Sequence, residues 1–562
     1  MRPAVTDEPP TQPTAGADPT VLAELVDALI RERIHGFADG TVDGDWYRVG
    51  DVRFRIRAGG GLQPWRYAGG PVLIGDHGTT DPDALLRAVA CTDPAAVQVA
   101  EDLRTAAAHA AVPARAGDPE SVAAQRGRPF HPTARAVVGW TVDELTSYGR
   151  GTFGLDWLAV RTEALRFGSG DWNTDTVPDM PTDARPGETL VPVHPWQLDH
   201  VLATEFAADV DSGIVRVHRR DTGRWRATSS IRTLAPDEGG SSRHLKLPLG
   251  VNTLGSQRLL PPRYLDNGER GERLLRTVVE QDPNLADLVL VADETTWCGW
   301  NGDPADPADP YADRPGHLAA QVRSYPPGAD RAVPMAALAA VDWHTAYPVD
   351  PVPFFRTLSG DFCAMAVGFL AHGILPEVHG QNVLRAGRRF VLRDHDTVRY
   401  CPTQLSTPDP QYRVKPGARQ SLRIDAPAEL TGYLQTLGFQ VNLYGIIDAL
   451  TRAHGVSERL LWTALREALE VALDRYAPAN SARPCSTRPP GRTAASSPRC
   501  WPGAGRRASA CPPTPDRSRI RCGRPAPPGP RPRPRGMRRG AGCSTPTSAR
   551  TASTTSERER SS

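Results

Sequence analysis

Apolar residues in the first 120 positions follow a helical spacing and then a strand spacing. After Asp18-Pro19 they recur every three or four positions, which predicts an amphipathic helix with this buried stripe: Val21, Leu22, Leu25, Val26, Leu29, Ile30 and Ile34. Residues 52–57 (VRFRIR) alternate apolar and basic side chains, a pattern typical of a half-buried strand. Helical compositions follow at 82–91 and 93–111, so both element types are expected here.

The rest of the pattern predicts an α+β fold with a helix-rich C-terminal region. Short strand-like runs such as TLVPVHPW and LVLVADET alternate with loops rich in Pro and Gly in the middle of the chain. The segment 302–316 has the composition of a surface loop or a subdomain boundary. An apolar helix begins near Pro353, and further helices are expected at about 428–450 and 456–476.

The segment 377–396 (EVHGQNVLRAGRRFVLRDHD) contains a predicted hairpin flanked by oxygen-bearing side chains. Two β-prone runs surround an Ala-Gly-Arg turn, whose glycine can adopt a positive φ. Folding the hairpin brings Asn382 and Asp394 to its open end, with Glu377 shortly upstream. Carboxylate and amide oxygens suit Mg²⁺, which usually shares its coordination shell with substrate phosphates. The alternative is structural: His379 and Asn382 cap a turn, and Asp394 pairs with an arginine.

A second segment, residues 229–258, supplies groups suited to a polyphosphate. It contains hydroxyl donors and three cations: Ser230, Arg232, Thr233, Lys246 and Arg258. Arginine binds phosphate in a bidentate way, and lysine binds it as a point charge. Lys246 is one of only two lysines in the chain and lies in an apolar, strand-like run (LKLPLG). We interpret it as directed into a cleft rather than snorkelling to solvent.

Several familiar catalytic and nucleotide-binding motifs are missing from the sequence. Neither lysine is followed by Ser or Thr, which excludes a P-loop, and there is no GxSxG or HExxH motif. Any nucleotide must therefore be held by side chains from separate elements. Two His-Pro pairs, in GRPFHPTARAVVGW (127–140) and VPVHPWQ (191–197), fix the direction of a histidine. We interpret them as walls of the site, although a single His-Pro pair is usually a turn.

Composition divides the chain near position 480. From Ser481 onward there are 18 Arg, 15 Pro and 5 Cys but three acidic residues, so this tail carries +15 and the rest of the chain −13. A segment so poor in apolar residues does not offset its ordering entropy, and residues 481–562 are predicted to be disordered. Charge alone suits a basic arm for nucleic acid. We favour instead a GC-rich gene translated out of frame, and we expect no nucleic-acid partner.

The chain has none of the sequence marks of a membrane or zinc protein. Its Pro-rich, acidic N-terminus lacks the basic and apolar regions of a signal peptide, and no run of about 18 uninterrupted apolar residues occurs. The cysteines before the tail are far apart and lack metal-binding spacing. We therefore expect a soluble, cytoplasmic protein without a membrane partner.

Three motifs together resemble those of siderophore synthetases that work without a nonribosomal peptide template, of the aerobactin synthetase type. They are SSIRT…LKLPLG…R, EVHGQN…RD and VPVHPWQ. The resemblance runs from about residue 120 to 476. It implies a cupped-hand fold of thumb, fingers and palm, with ATP and Mg²⁺ as cofactors. It also implies an acid–amine ligase that activates citrate or a related acid as an acyl adenylate before an amine or hydroxylated amine attacks. The sequence does not decide between a monomer and a homodimer.

The resemblance also assigns roles to individual residues. Those matched to ATP contacts are Ser230, Arg232, Thr233, Lys246, Arg258 and Gln381, and those matched to Mg²⁺ and phosphates are Glu377, Asn382 and Asp394. The implied catalytic residues are His131, His379, Lys246 and Arg258, and either histidine could act as the base. The family's GHPxHPxxK is GRPFHPTAR here, so Arg128 replaces a His and Arg135 a Lys.

The implied regions, and two other functions, complete the set of expectations. The regions are a disordered N-terminus (1–17), a thumb-like region (18–120), an IucA/IucC-like nucleotide-binding fingers region (121–350), a palm-like region with the Mg²⁺/ATP hairpin and a ferric-reductase FhuF-like character (351–480), and the tail (481–562). A small-molecule kinase of the aminoglycoside phosphotransferase type also combines HGxN, a hairpin and an Asp, but requires a catalytic Asp where this chain has Gln381. An inactive synthetase remnant is the other alternative.

Overall fold

The computed structural model describes residues 19–90, 93–126, 129–237, 242–301, 316–329, 331–414 and 421–476. The segments predicted to be disordered, 1–17 and 481–562, and nearly all of the predicted loop 302–316 lie outside the described residues. Within the described part, helices and strands are both abundant, which agrees with the predicted α+β class.

The N-terminal region packs three helices against a small antiparallel sheet. Its elements are α1 (Pro19–Glu32), β1 (Thr41–Asp43), β2 (Trp46–Val49), β3 (Val52–Ala58), β4 (Trp65–Tyr67), β5 (Val72–Ile74), β6 (His77–Thr79), α2 (Pro82–Val89) and α3 (Pro94–Ala110). The strand order is β1-β2-β3-β5-β6, and β4 also pairs with β3. The predicted stripe of α1 is buried except for Ile34, which is 47% exposed because the helix ends at Glu32 and Arg33 adopts a positive φ.

The middle region is built on an eight-stranded antiparallel sheet. Its elements are α4 (Pro119–Arg126), α5 (Val142–Glu144), β7 (Phe153–Arg161), β8 (Leu165–Phe167), β9 (Glu188–Val193), α6 (Pro195–Gln197), α7 (Ala203–Glu205), α8 (Ala207–Asp211), β10 (Val215–Ala227), β11 (Thr233–Pro236), β12 (Arg243–Lys246), β13 (Leu249–Thr253), β14 (Ser256–Arg258), α9 (Pro262–Gln281), α10 (Pro283–Leu288), β15 (Val289–Val291), β16 (Trp297–Trp300) and β17 (Ala319–Ser324). The strand order is β8-β16-β17-β12-β11-β10-β7-β9. Strand β12 is therefore central, and Lys246 stands at its end.

The C-terminal region combines a four-stranded sheet with long helices. Its elements are β18 (Val333–Pro334), α11 (Val341–Ala346), α12 (Pro351–Ala371), β19 (Ile374–Leu375), β20 (Val383–Ala386), β21 (Arg389–Leu392), β22 (Arg399–Tyr400), α13 (Pro427–Tyr433), α14 (Tyr444–His454) and α15 (Glu458–Arg475). The sheet order is β15-β21-β20-β18. The predicted hairpin is confirmed. Strands β20 and β21 pair antiparallel, from Val383 opposite Leu392 to Ala386 opposite Arg389, and Gly387 in the turn has φ +64°.

The apolar helix α12 lies in the core of the C-terminal region. Among the described residues, this is the one helix long and apolar enough to cross a membrane, and 67% of its most apolar window is buried inside the fold. The helix packs against α15 and α10, and the side chains of Phe355, Phe362 and Phe369 are fully buried. Packing within the protein thus accounts for its composition.

Candidate active site

A cleft of about 750 Å³ collects most of the predicted site residues. Its walls come from distant stretches of chain, within 123–150, 229–232, 253–267 and 377–397. The predicted residues that line it are Ser230, Arg232, Arg258, Glu377, His379, Gln381, Asn382 and Asp394. The two segments that carry the sequence motifs therefore meet in one cavity, whose volume suits a ligand the size of a nucleotide.

Lys246 is buried beside the cleft and paired with carboxylates. Its side chain is 3% exposed, and its ammonium forms an ion pair with Asp394. The same nitrogen lies 4.0 Å from Oδ2 of Asp396. Lys246 therefore does not snorkel to solvent. Its position follows from the sheet, because Thr233 on β11 pairs with Lys246 and fixes the end of β12.

Asp394 is held in a strained backbone conformation with its side chain facing the cleft. Its φ and ψ are both 67°, in the left-handed region that non-glycine residues rarely adopt. The backbone N–H of Asp394 donates to Oε1 of Glu294 at 2.8 Å, and this carboxylate is also paired with Arg323. Burial alone would raise the pKa of Asp394, but the Lys246 ammonium and the Arg323 guanidinium outweigh it and lower the pKa. Asp394 is therefore ionised at neutral pH.

Asp396 carries the opposite shift. Burial raises its pKa to about 6; the Lys246 ammonium opposes this shift, and the neighbouring Asp394 carboxylate adds to it. Two carboxylates close to one ammonium cannot both be fully compensated, so the second takes up a proton more readily. The Lys246 ammonium therefore compensates Asp394 more fully than it compensates Asp396.

Glu377 is the centre of a small hydrogen-bonded group at the foot of the hairpin. Its Oε2 accepts from the Asn382 side-chain amide at 3.0 Å and from the Thr397 hydroxyl at 3.3 Å. The same oxygen lies 3.4 Å from Nε2 of His379. The backbone N–H of Gln381 donates to Nδ1 of His379 at 3.2 Å. This arrangement leaves the proton of a neutral His379 on Nε2, facing Glu377.

A buried ion pair that the sequence analysis missed connects the walls of the cleft. The Arg393 guanidinium donates to both carboxylate oxygens of Glu120, at 2.7 and 3.1 Å. It also donates to the Ser229 hydroxyl at 2.7 Å, the Tyr325 hydroxyl at 2.8 Å and the Gln381 carbonyl at 3.0 Å. Arg393 was visible beside Asp394 in the motif. Its partner Glu120 is so distant in sequence that no local pattern could reveal it.

The remaining predicted residues lie in different surroundings. Arg232 donates to the Leu259 carbonyl at 2.5 Å, and Arg258 to the Thr253 carbonyl at 2.6 Å, which fixes both guanidinium groups along the rim. Thr233 is 1% exposed and, unlike these arginines, is not among the cleft-lining residues. His131 is exposed on the surface, with Nδ1 3.3 Å from the Thr133 hydroxyl, and is also absent from the lining.

The second His-Pro pair caps a helix and does not form a wall of the cleft. Nδ1 of His194 accepts from the Trp196 backbone N–H at 3.1 Å, at the start of α6. Its ring is packed against Tyr148 and Phe153, and burial lowers the pKa of His194 to about 3. The interpretation of VPVHPWQ as a site wall is therefore wrong for His194, because the residue is buried in aromatic packing and is not among those that line the cleft.

The oxygen donors at the cleft suit Mg²⁺, which keeps water and phosphate among its ligands, better than they suit a metal whose ligands all come from the protein. In the part of the chain that the structure describes, no group of three or more His, Cys, Asp or Glu side chains could hold a metal ion. Glu377, Asn382 and Asp394 present two carboxylates and an amide to the same cavity. A hard-oxygen set with few protein ligands suits Mg²⁺, which completes its shell with water and phosphate.

Comparison with known proteins identifies the family. The IucA / IucC family model matches residues 120–340, and that of the ferric iron reductase FhuF-like transporter matches residues 364–493. The chain is 35% identical over 392 residues to staphyloferrin B synthase of Staphylococcus aureus (strain NCTC 8325 / PS 47), covering 62% of this chain and 66% of that protein. It is 29% identical over 171 residues to aerobactin synthase of Escherichia coli, covering 26% and 29%. This chain belongs to the siderophore synthetase family of the IucA/IucC type. The resemblance seen in its motifs is thereby confirmed.

Solved structures of family members share its fold. The petrobactin biosynthesis protein AsbB from Bacillus anthracis superposes with a TM-score of 0.69 at 16% identity, covering 82% of this chain and 87% of that one. ATP-bound aerobactin synthetase IucA from Klebsiella pneumoniae superposes with a TM-score of 0.63 at 17% identity, covering 81% and 92%. The match to staphyloferrin B synthase spans 66% of that relative's length. The FhuF-like match continues past Ser481, into the segment predicted to be a frameshifted tail.

Proposed function

We propose that this siderophore synthetase uses ATP to adenylate a citrate-like carboxylic acid and then condenses the acyl adenylate with an amine or hydroxylated amine, releasing AMP and pyrophosphate. One observation carries the proposal: the cationic segment 229–258 and the hairpin segment 377–396 line the same cleft. Family membership supports it, since relatives include a D-ornithine–citrate ligase of S. aureus. We also propose the cupped-hand arrangement of thumb, fingers and palm, and action in the cytoplasm.

The charges in the cleft suit adenylation. A carboxylate is a poor electrophile, and attack of its oxygen on the α-phosphorus of ATP forms the acyl adenylate and releases pyrophosphate. Negative charge builds up on the phosphate oxygens in this step. Arg232 and Arg258 line the cleft, and Lys246 is held beside it by Asp394. Preorganised cations stabilise such charge without reorganisation, which is a large catalytic term.

Mg²⁺ has a place in this proposal beside the phosphates. Glu377, Asn382 and Asp394 would hold the ion, which when bound supplies Lewis-acid stabilisation of phosphate oxygens. The hydrogen bond from Asn382 to Glu377 holds the amide group in a fixed orientation, so its oxygen is placed before any ligand arrives.

The second half-reaction requires a base for the incoming ammonium. We propose His379 rather than His131, because His379 lines the cleft while His131 is exposed and lies outside the lining. Nδ1 of His379 accepts from the Gln381 backbone N–H and its Nε2 hydrogen faces Glu377, so the ring would accept the proton at Nδ1 by giving up the contact with Gln381. The Glu377 carboxylate would then stabilise the imidazolium.

Position 381 argues against the kinase alternative. A kinase of that type needs a carboxylate there to accept the proton of the substrate hydroxyl. Here the Gln381 side-chain amide donates to the Ser229 carbonyl at 2.9 Å, so the group is a neutral structural donor.

The test is exchange of labelled pyrophosphate into ATP by the full chain, with a panel of polycarboxylic acids and Mg²⁺. Exchange that depends on the acid supports adenylation. Release of ADP in place of pyrophosphate would establish the kinase, and the absence of both reactions with every acid would favour the inactive remnant. Omitting Mg²⁺ should abolish the exchange if the oxygen set binds the ion as proposed.

A further inference from the structure

Arg150 is a cleft-lining arginine whose charge is not neutralised. Its Nη1 donates to the carbonyl of the adjacent Gly149 at 3.1 Å, while its Nε is buried and has no hydrogen-bond partner in the described structure. The carboxylate that acts on it is Asp118, which is already paired with Arg226 at 2.6 Å. A buried cation in this state is costly and rarely retained without a function.

The backbone around Arg150 is rigidly built. A Cβ on Gly149 would lie 2.7 Å from Leu145 Cδ1, and a Cβ on Gly151 would lie 2.5 Å from the Ser147 carbonyl oxygen. The turn begins at a capping box in which Glu144 accepts from the Thr141 backbone N–H and also from the Trp196 indole, both at 2.7 Å. Close packing on both sides and a fixed start hold the backbone that carries Arg150 in place before a ligand binds.

The surroundings of Arg150 match one carboxylate better than a triphosphate. The other cleft-lining residues of the stretch 123–150 are Ala123, Ala124, Ala134, Arg135, Val137 and Leu145. Arg135 is neutralised by a bidentate pair with Glu24, so the described part of this wall offers one uncompensated positive charge among apolar groups. Burial lowers the pKa of Arg150 to about 10, which leaves it charged at neutral pH.

We propose that Arg150 binds a carboxylate of the acid substrate other than the one that is adenylated, and so selects acids with at least two carboxylates. The inference rests on the proposed function, since it concerns that reaction's acid. Arginine presents two parallel N–H donors to a carboxylate, and burial strengthens the pair. Binding of the acid would at the same time neutralise a guanidinium that is uncompensated in the free protein.

Calorimetric binding of citrate, succinate and 2-oxoglutarate to the full chain without ATP tests this inference. For the acid that binds, Arg150→Met should raise Kd about 30-fold, the size expected for losing a charge-assisted pair. Arg150→Lys should recover part of that loss. Arg161→Met, at an exposed position on β7, is the matched control and should leave Kd unchanged.

Two further measurements separate a binding role from a structural one. Wild type should bind the monoamides of the acid more weakly than the acid itself. For the monoamide whose neutral amide replaces the carboxylate that Arg150 contacts, this difference in affinity should disappear in Arg150→Met. The variant's melting temperature without ligand should stay level or rise, because an unpaired buried charge is removed.

The outcomes are decisive in both directions. An unchanged Kd in Arg150→Met, an equal loss of ATP affinity, or a wild type that binds none of these acids would overturn the inference. Acid binding through Arg150 without any pyrophosphate exchange would support the inference and refute the proposed function.

Discussion

Arg393 and Asp394 are consecutive residues with opposite surroundings. All three guanidinium nitrogens of Arg393 donate within the protein, to Glu120, Ser229, Tyr325 and the Gln381 carbonyl. The Asp394 side chain is 26% exposed, lines the cleft and pairs with the buried Lys246. One peptide bond therefore separates two kinds of ion pair. Arg393 with Glu120 is closed to solvent and is called the closed pair; Lys246 with Asp394 is open to a ligand and is called the open pair.

The difference shows how a buried ion pair can be assigned a role. A pair whose donors and acceptors are all satisfied within the protein has nothing left to offer a substrate, so its contribution is to hold elements together. A pair with one face in a cavity keeps unused oxygen or nitrogen atoms for a ligand, and it keeps its charges at some cost in stability. The contacts of Arg393 join the walls of the cleft, and the pair of Lys246 with Asp394 is the one that we propose takes part in the chemistry.

The largest effect is expected from breaking the closed pair. Arg393→Met leaves the Glu120 carboxylate buried without its cation and should lower the free energy of unfolding by about 3–5 kcal/mol. The midpoint of urea unfolding followed by circular dichroism measures this. Arg466→Met removes an arginine paired with Glu470, both of them more than half exposed, and is the control, with no measurable change expected. Equal midpoints for the two variants would show that Arg393 is not a structural brace.

Breaking the open pair should affect activity more than stability. Lys246→Ala should lower pyrophosphate exchange by about a hundredfold or more, in line with the loss of a transition-state charge contact. The unfolding midpoint should fall far less than in Arg393→Met, since Arg323 remains 3.7 Å from Asp394. Arg224→Ala, an exposed position, controls for charge removal. Full activity in Lys246→Ala would mean that the nucleotide binds elsewhere.

The sequence predicted the elements of the cleft better than its contacts. The hairpin and a Lys246 that does not snorkel followed from local patterns, because alternation, turn glycines and an isolated cation are local signals. The meeting of the two distant segments was expected from the family resemblance. Glu120 could not be predicted in the same way, since its partner Arg393 comes from another element and pairing across such a distance leaves no periodic trace.

The histidines show where a local signal misleads. A His-Pro pair fixes the backbone direction of the histidine but not what the side chain faces. His194 is used as a helix cap, and His131 lies on the surface. Arg150 was overlooked for the converse reason: a single arginine among 64 carries no pattern, and only the missing partner in three dimensions distinguishes it.

Acid should weaken the closed pair in a defined range. The Arg393 guanidinium outweighs the effect of burial and lowers the pKa of Glu120 to about 2, below the value of about 4.3 in an unfolded chain. The stabilisation is therefore complete above about pH 4.3 and is lost as the pH falls toward 2, at up to about 1.4 kcal/mol per pH unit. Urea midpoints between pH 5 and 3 should fall less steeply in Glu120→Gln than in wild type or in the exposed control Glu163→Gln. Parallel slopes would contradict the assignment.

The smallest effect is expected at Gln381, which joins the closed pair to the wall of the cleft. Its carbonyl accepts from Arg393 and its side chain donates to the Ser229 carbonyl at 2.9 Å, on the wall of the cleft. Gln381→Ala keeps the backbone contact and removes one hydrogen bond, so the unfolding free energy should fall by about 1 kcal/mol. If the closed pair positions the cleft, this loosening should also raise KM for ATP severalfold while acid affinity stays level. Measuring KM for ATP and the affinity for the acid decides the matter. An unchanged KM for ATP would mean that the closed pair and the cleft are independent. A loss of pyrophosphate exchange as large as that in Lys246→Ala would make Gln381 a direct ligand of the nucleotide.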